Sequence, residues 1–84
     1  MARSRVVAVQ LPKWGLTTED AVVVEWMVGE GEQIEQGAAL VTVETDKSTA
    51  EVEAPASGRL VRVLAREGDS VKAGDILAEI EVST

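Results

Sequence analysis

"VEWMVGEGEQIEQGAALVTVE", residues 24–44, and "VRVLAREGDSVKAGDILAEIE", residues 61–81, are one pattern written twice, 37 residues apart. Glu30, Gly31, Gly37, Leu40 and Glu44 meet Glu67, Gly68, Gly74, Leu77 and Glu81, all identical. Val24 meets Val61, Ile34 meets Val71, and Val43 meets Ile80. Two copies are too few for a solenoid, which needs about three or more to cover its core. They fit a pseudo-two-fold sandwich in which each half gives strands to both sheets. The matched glycines predict positive φ at tight turns, which glycine enters without steric cost. The segment after the first copy, 45–57, then corresponds to the chain end, 82–84. Residue 47 and the termini are therefore expected at opposite ends of the domain.

The rest of the chain reads as strands. Fourteen residues are valine, and β-branched side chains favour the pleated sheet. Apolar residues alternate in every segment: Val7, Val9 and Leu11; Val22, Val24, Trp26 and Val28; Val41 and Val43; Ala50, Val52 and Ala54; Val61, Val63 and Ala65; Ile76, Ala78, Ile80 and Val82. Each set is expected on the inner face of its strand. No window carries a helical stripe, so the fold class is all-β. "GEG" at 29–31, Gly37, "PASG" at 55–58, Gly68 and Gly74 mark the turns. The Pro55–Gly58 run is expected only to make a turn, and Trp26 to join the core. Short strands between close turns suggest a small sandwich or flattened barrel.

With 84 residues the chain makes one small domain, 1–84, with its core at about 5–82. A domain this small buries only roughly 60% of its unfolded surface. No cysteine is present to staple it, which removes thiol catalysis, thiolate metal sites and disulfides. No histidine is present either, so the usual general base and nitrogen ligand are missing. The net charge of −7 repels a phosphate backbone, and two tryptophans are too few for a base-stacking platform. Nucleic acid is not an expected partner; a basic protein is. No stretch approaches the ~20 apolar residues of a membrane span. "MARSRVVAVQ" lacks the apolar core of a signal peptide and reads as a mature N-terminus. A cytoplasmic location is expected.

One lysine stands apart. Lys47, in "VETDKSTAEVEAPASG" (43–58), lies with Asp46 between a strand at 40–45 and another at 48–54. A two-residue hairpin loop usually carries glycine, and Asp-Lys does not. A type I turn is expected, with the Asp46 carboxylate accepting from nearby backbone amides. Spacing alone allows two readings of Lys47: a solvated turn residue, or a functional group placed at a tip.

"ETDKSTAEVEAPASG", with "LPKWGL" upstream and the repeats "VGEGEQIEQG" and "REGDSVKAGD" around it, resembles a lipoyl domain of the 2-oxo acid dehydrogenase complexes. The likeness covers residues 5 to 82, nearly the whole chain. It implies a flattened β-barrel of two four-stranded antiparallel sheets with quasi-two-fold symmetry. It also implies a swinging-arm carrier with lipoate in amide linkage on Lys47. Asp46 and Ser48 would be read by the modifying enzyme, a lipoate ligase or a lipoyl/octanoyl transferase. Ser48 stands where Ala, Val or Ile is frequent in that family. The loop "KWGLTTED", 13–20, would help a decarboxylase recognise its carrier through Trp14, Gly15, Leu16 and Thr17; Trp14 otherwise caps the core. The related biotinyl domain, the carrier of a carboxylase, has methionine on both sides of its lysine, and Asp46 speaks for lipoate. An unmodified interaction module of the same fold is the third reading.

The resemblance further implies the partners. A thiamine-diphosphate-dependent decarboxylase loads the arm, an acyltransferase core passes the acyl group to coenzyme A, and dihydrolipoamide dehydrogenase reoxidises it. The domain itself is then no enzyme, since the cofactor holds the chemistry and the protein supplies position. Any longer parent would be a dihydrolipoamide acyltransferase, and "PKWGL" is similar to acetoin and some pyruvate complexes. The chain is either an excised domain or a free-standing carrier, monomeric when isolated. Acylating Lys47 would leave Glu44, Asp46, Glu51 and Glu53 as an acidic tip, either a steering surface or a solvated face.

Overall fold

The computed structural model describes residues 4–12, 20–45 and 48–83. Eight strands follow one another: β1 (Ser4–Gln10), β2 (Ala21–Trp26), β3 (Gln33–Ile34), β4 (Ala39–Glu44), β5 (Thr49–Glu53), β6 (Gly58–Val63), β7 (Ser70–Val71) and β8 (Ile76–Ser83). They form two antiparallel four-stranded sheets, ordered β1-β8-β6-β3 and β5-β4-β2-β7. Adding four to each strand number turns one order into the other, so the quasi-two-fold read from the repeat is the symmetry of the fold. Each half does give two strands to each sheet. The sheets keep separate edges and do not close into a barrel.

The two halves are clasped by backbone bonds that each lends the other. The Gly31 amide donates to the Leu60 carbonyl at 2.6 Å, and the Leu60 amide donates to the Glu32 carbonyl at 2.9 Å. Thirty-seven residues on, the Gly68 amide donates to the Val23 carbonyl at 2.7 Å, and the Val23 amide to the Asp69 carbonyl at 2.9 Å. The repeated Glu-Gly pair thereby acquires a cause. Gly31 and Gly68 both sit at φ 93°, where a side chain would strain the backbone. Glu30 Oε2 accepts from the Val63 amide at 2.9 Å, and Glu67 Oε2 from the Trp26 amide at 3.4 Å. The residue after each glycine closes its own turn: Glu32 Oε2 accepts from the Gly29 amide at 2.8 Å, and Asp69 Oδ2 from the Arg66 amide at 2.9 Å.

The alternation expected of the strands needs correction in three of them. Val22 and Val24 are 40% and 45% exposed, Val61 is 40% and Ile76 44%, while Ala21, Val23, Leu60 and Leu77 are buried. The cause is a set of β-bulges, each of which adds one residue and flips the phase of the pleat. Val24 is the extra residue against β4, since Val23 faces Val43 and Glu25 faces Thr42. Val61 is its counterpart against β8. Leu40 is extra against β5, and Leu77 against β1. The bulges therefore repeat with the same 37-residue shift. Leu40 and Leu77 both turn inward and are fully buried.

The core is aliphatic: every buried side chain among the described residues belongs to Ala, Val, Leu or Ile, Gly58 being buried without one, and no polar side chain is buried with them. Trp26 is half-buried at its margin, and its Nε1 donates to the Ala65 carbonyl at 2.7 Å. "PASG" does more than turn. Ser57 Oγ accepts the Gln36 amide at 2.8 Å, and Gly58 is already a strand residue, facing Ile34. A Cβ on Gly58 would collide with the Glu81 carbonyl oxygen, so β6 lies close to β8 only because residue 58 has no side chain.

The symmetry makes a matched prediction. Leu40→Ala and Leu77→Ala should each cost about 2–5 kcal/mol, because both remove a fully enclosed side chain at equivalent bulges. Urea denaturation of the two variants should give losses of similar size, while Val24→Ala, at an exposed bulge, should cost far less.

Candidate functional site at the β4–β5 turn

The hairpin that carries Lys47 is built from its base upward. Val43 faces Ala50 and Glu44 faces Thr49, so β4 and β5 stay in register to their ends. Beyond that pair the Thr45 amide donates to the Ser48 carbonyl at 2.8 Å. The Thr45 hydroxyl also donates to that carbonyl, at 3.0 Å, and Thr45 Oγ1 accepts the Ser48 amide at 3.2 Å. Thr45 and Ser48 are thus the closing pair, and two residues lie between them, as the sequence led us to expect. Asp46 and Lys47 themselves lie outside the described residues, and with them the type of turn and the Asp46 hydrogen bonds. Ser48 is exposed.

Sequence reading overlooked Thr45. The available signal was a threonine followed three residues later by serine across a tight reversal, where a side-chain hydroxyl can stand in for a backbone group.

The loop expected to meet a partner also falls largely outside the described residues, including Trp14, Gly15, Leu16 and Thr17. Its two flanks are described. Leu11 is tied to the β7–β8 connection by bonds to Asp75 and Gly74. Asp20 leads into β2, where Val22 faces Glu44. The loop therefore returns to the sheet beside the last residue of β4. It connects β1 to β2 through ten residues, 11–20, where the equivalent β5–β6 connection uses four, 54–57. The connection is thus six residues longer than its counterpart, a departure from the pseudo-symmetry.

The Thr45–Ser48 pair and the Ser4–Ser83 pair lie at opposite ends of the domain. From Thr49, β5 runs away from the turn for five residues, about 16 Å at the usual strand rise. Four residues later β6 begins, and Arg59 faces Glu81 near the end of β8. There Ser83 faces Ser4.

The two outer faces differ in charge although their strands correspond. On the β1-β8-β6 face Arg62 pairs with Glu79 at 3.8 Å, and Arg59 stands opposite Glu81. On the β2-β4-β5 face the outward rows are Val22–Glu44–Thr49 and Glu25–Thr42–Glu51, and these three strands contain no lysine or arginine. The acidic surface inferred from sequence thus extends over the sheet that ends in the lysine turn.

Nothing described resembles a catalytic centre. No three carboxylates gather as a metal site among the described residues. A cavity of about 500 Å³ is lined by Ala8, Gln10, Leu11, Pro12, Pro55, Ala73 and Gly74, none of which can accept or give a proton. The described residues flanking the turn are open to solvent instead: Glu44, Ser48 and Thr49 are all exposed.

Residues 7–80 match the model of the biotin/lipoyl family, described as "Biotin-requiring enzyme". The dihydrolipoyllysine-residue acetyltransferase component of the acetoin cleaving system of Cupriavidus necator is 43% identical over 81 residues, which are 93% of the chain and 22% of that protein. The chain thus spans about a fifth of the length of such curated relatives. Among solved structures, the lipoyl domain of the 2-oxoglutarate dehydrogenase complex of Azotobacter vinelandii is 30% identical, with a TM-score of 0.70, over 88% of the chain and 94% of that domain. The urea carboxylase of Kluyveromyces lactis shares the fold, with a TM-score of 0.76 at 24% identity over 90% of the chain and 6% of the enzyme.

The exposed carboxylates of the acidic face make no ion pair among the described residues. Glu44→Gln and Glu51→Gln should therefore leave the folding free energy within about 0.5 kcal/mol of wild type in urea titration.

Proposed function

Because the chain belongs to the biotin/lipoyl-attachment family, as a lipoyl domain, we propose that it is a swinging-arm carrier with lipoate in amide linkage on Lys47. The observation that carries this reading is the position of the lysine. Lys47 is one of two residues between the Thr45–Ser48 closing pair, at the end of the sandwich away from the chain ends. A tether at the chain ends would leave that turn free to reach other active sites.

Lipoate bound there supplies a dithiolane, which carries acyl groups and electrons. The protein's contribution is placement. Lys47 gives the amine, Thr45 and Ser48 hold the base of the turn, and the paired strands β4 and β5 make a stiff stalk. Exposed flanking residues leave an arm in water, and the acidic β2-β4-β5 face favours approach to basic active-site entrances. Tethering raises the local concentration of the carried group at each partner.

In this reading the partners are those that the lipoyl resemblance implies: a thiamine-diphosphate-dependent decarboxylase, an acyltransferase core and a dihydrolipoamide dehydrogenase, in a cytoplasmic 2-oxo acid or acetoin dehydrogenase complex; the acyltransferase relatives support membership of such a complex. The likeness to the acetoin system supports acetoin as the first substrate to try.

Intact-mass analysis of protein made in lipoate-supplied cells tests the reading. One lipoyl adduct is expected, absent from Lys47→Arg, with the far-ultraviolet spectrum and urea midpoint unchanged. A biotin adduct, or no adduct beside an active ligase, would overturn it.

A further inference from the structure

The pseudo-two-fold supplies an internal comparison for the lysine turn. It carries β4 onto β8 and β5 onto β1, and so Thr45 onto Val82 and Ser48 onto Arg5. Arg5 and Val82 are direct cross-strand partners, as Thr45 and Ser48 are a bonded pair. Thr45 and Val82 are both half-buried, and the two side chains have the same branched shape. The place itself therefore asks only for a β-branched residue at the margin of the core. A hydroxyl appears only in the half where the chain reverses, and there it both accepts the Ser48 amide and donates to the Ser48 carbonyl.

We propose that Thr45 is a positioning residue for the modification of Lys47, its hydroxyl holding the Thr45–Ser48 pair closed so that the two residues between them stand on a base of fixed width. The proposal rests on the lipoylation reading above. In that acyl transfer the Lys47 amine attacks the carboxyl carbon of an activated lipoyl donor, an acyl adenylate or acyl thioester. The C–N amide bond forms, the bond to the nucleotide or thiol breaks, and the amine loses a proton. Thr45 acts by ordering the turn before the enzyme meets it. Otherwise the enzyme must order the backbone on binding, which weakens productive binding.

The same geometry says why the fold should not need the hydroxyl. Ser48 is exposed, so water replaces the lost acceptor, and valine already serves at the equivalent place in the other half. Thr45→Val should thus separate presentation of the lysine from folding.

The test compares Thr45→Val and Thr45→Ser with wild type, using purified lipoate ligase, lipoate and ATP. Three quantities are read: steady-state constants for the domain as substrate, the urea midpoint, and hydrogen exchange of the Ser48 amide. For Thr45→Val the expected result is a wild-type midpoint, faster Ser48 exchange, and kcat/KM lower by about five- to tenfold, mainly through KM. Thr45→Ser, which keeps the hydroxyl, should stay within about twofold of wild type. Wild-type kcat/KM in Thr45→Val, or a loss in Thr45→Ser as large as in Thr45→Val, would overturn the proposal. Should the valine variant not fold, Thr45→Ala against Thr45→Ser makes the same comparison. Failure of the carrier reading would look different, since wild-type protein would then gain no lipoyl group.

Discussion

Everything in this domain depends on a bond that neither half can make alone. Each half ends a turn in glycine at φ 93° and offers that amide to a carbonyl in the middle of the other half's bulged strand. The next residue returns the bond, and the glutamate before the glycine reaches across to a further amide. A small aliphatic core, with no polar side chain buried among the described residues, has little to specify one arrangement of its sheets. The directional bonds between the halves do so, because an amide left unpaired there would have no cheap alternative.

The clasp sets the sheet order, and the sheet order sets the site. Since β4 and β5 come from different halves yet pair throughout, the turn between them is the single place where the chain passes from one copy to the other. Its equivalent in the second copy is the pair of chain ends. A carrier needs a group at one end and a tether at the other, and a duplicated half closed by a two-fold gives both without further elements. What symmetry does not give is recognition, and there the halves differ. The β1–β2 connection is six residues longer than its β5–β6 counterpart, arginines are absent from the strands below the turn, and a hydroxyl replaces a methyl at its base.

Much of this was legible in the chain. Glu30, Gly31, Gly37, Leu40 and Glu44 recur with one shift, and a shift that holds across turns and strands alike can only be a structural two-fold. Lys47 was legible as a tip residue because Val43 and Ala50 alternate up to it from either side. The inner face of β2, β6 and β8 was legible only in part: Val63, Ala78, Ile80 and Val82 do face the core, and four other residues do not. Val22 and Val24, like Val61 and Ile76, look inward by strict period two, yet Val24 and Val61 are themselves bulge residues, and the bulges at Val24 and Leu77 reverse the phase for Val22 and Ile76. Nothing local marks a bulge, since the extra residue is valine or leucine in each case. The role of Thr45 was hidden for a similar reason: a threonine at the end of a valine-rich strand reads as one more β-branched residue until its partner across the turn is seen.

The sequence by itself determined the strand composition, the duplication, the absence of thiol and imidazole chemistry, and the family pattern around Lys47. These are properties of residue type and spacing, which a chain carries whether folded or not. Only the tertiary structure decided the phase of the bulged strands, the separation of the sheets, the cross-half use of Glu30 and Glu67, and the hydroxyl clamp beneath the turn. Each of those is a pairing between residues distant in the chain or across a reversal. Which amide meets which carbonyl is settled by the fit of two halves against each other, not by either half's own pattern.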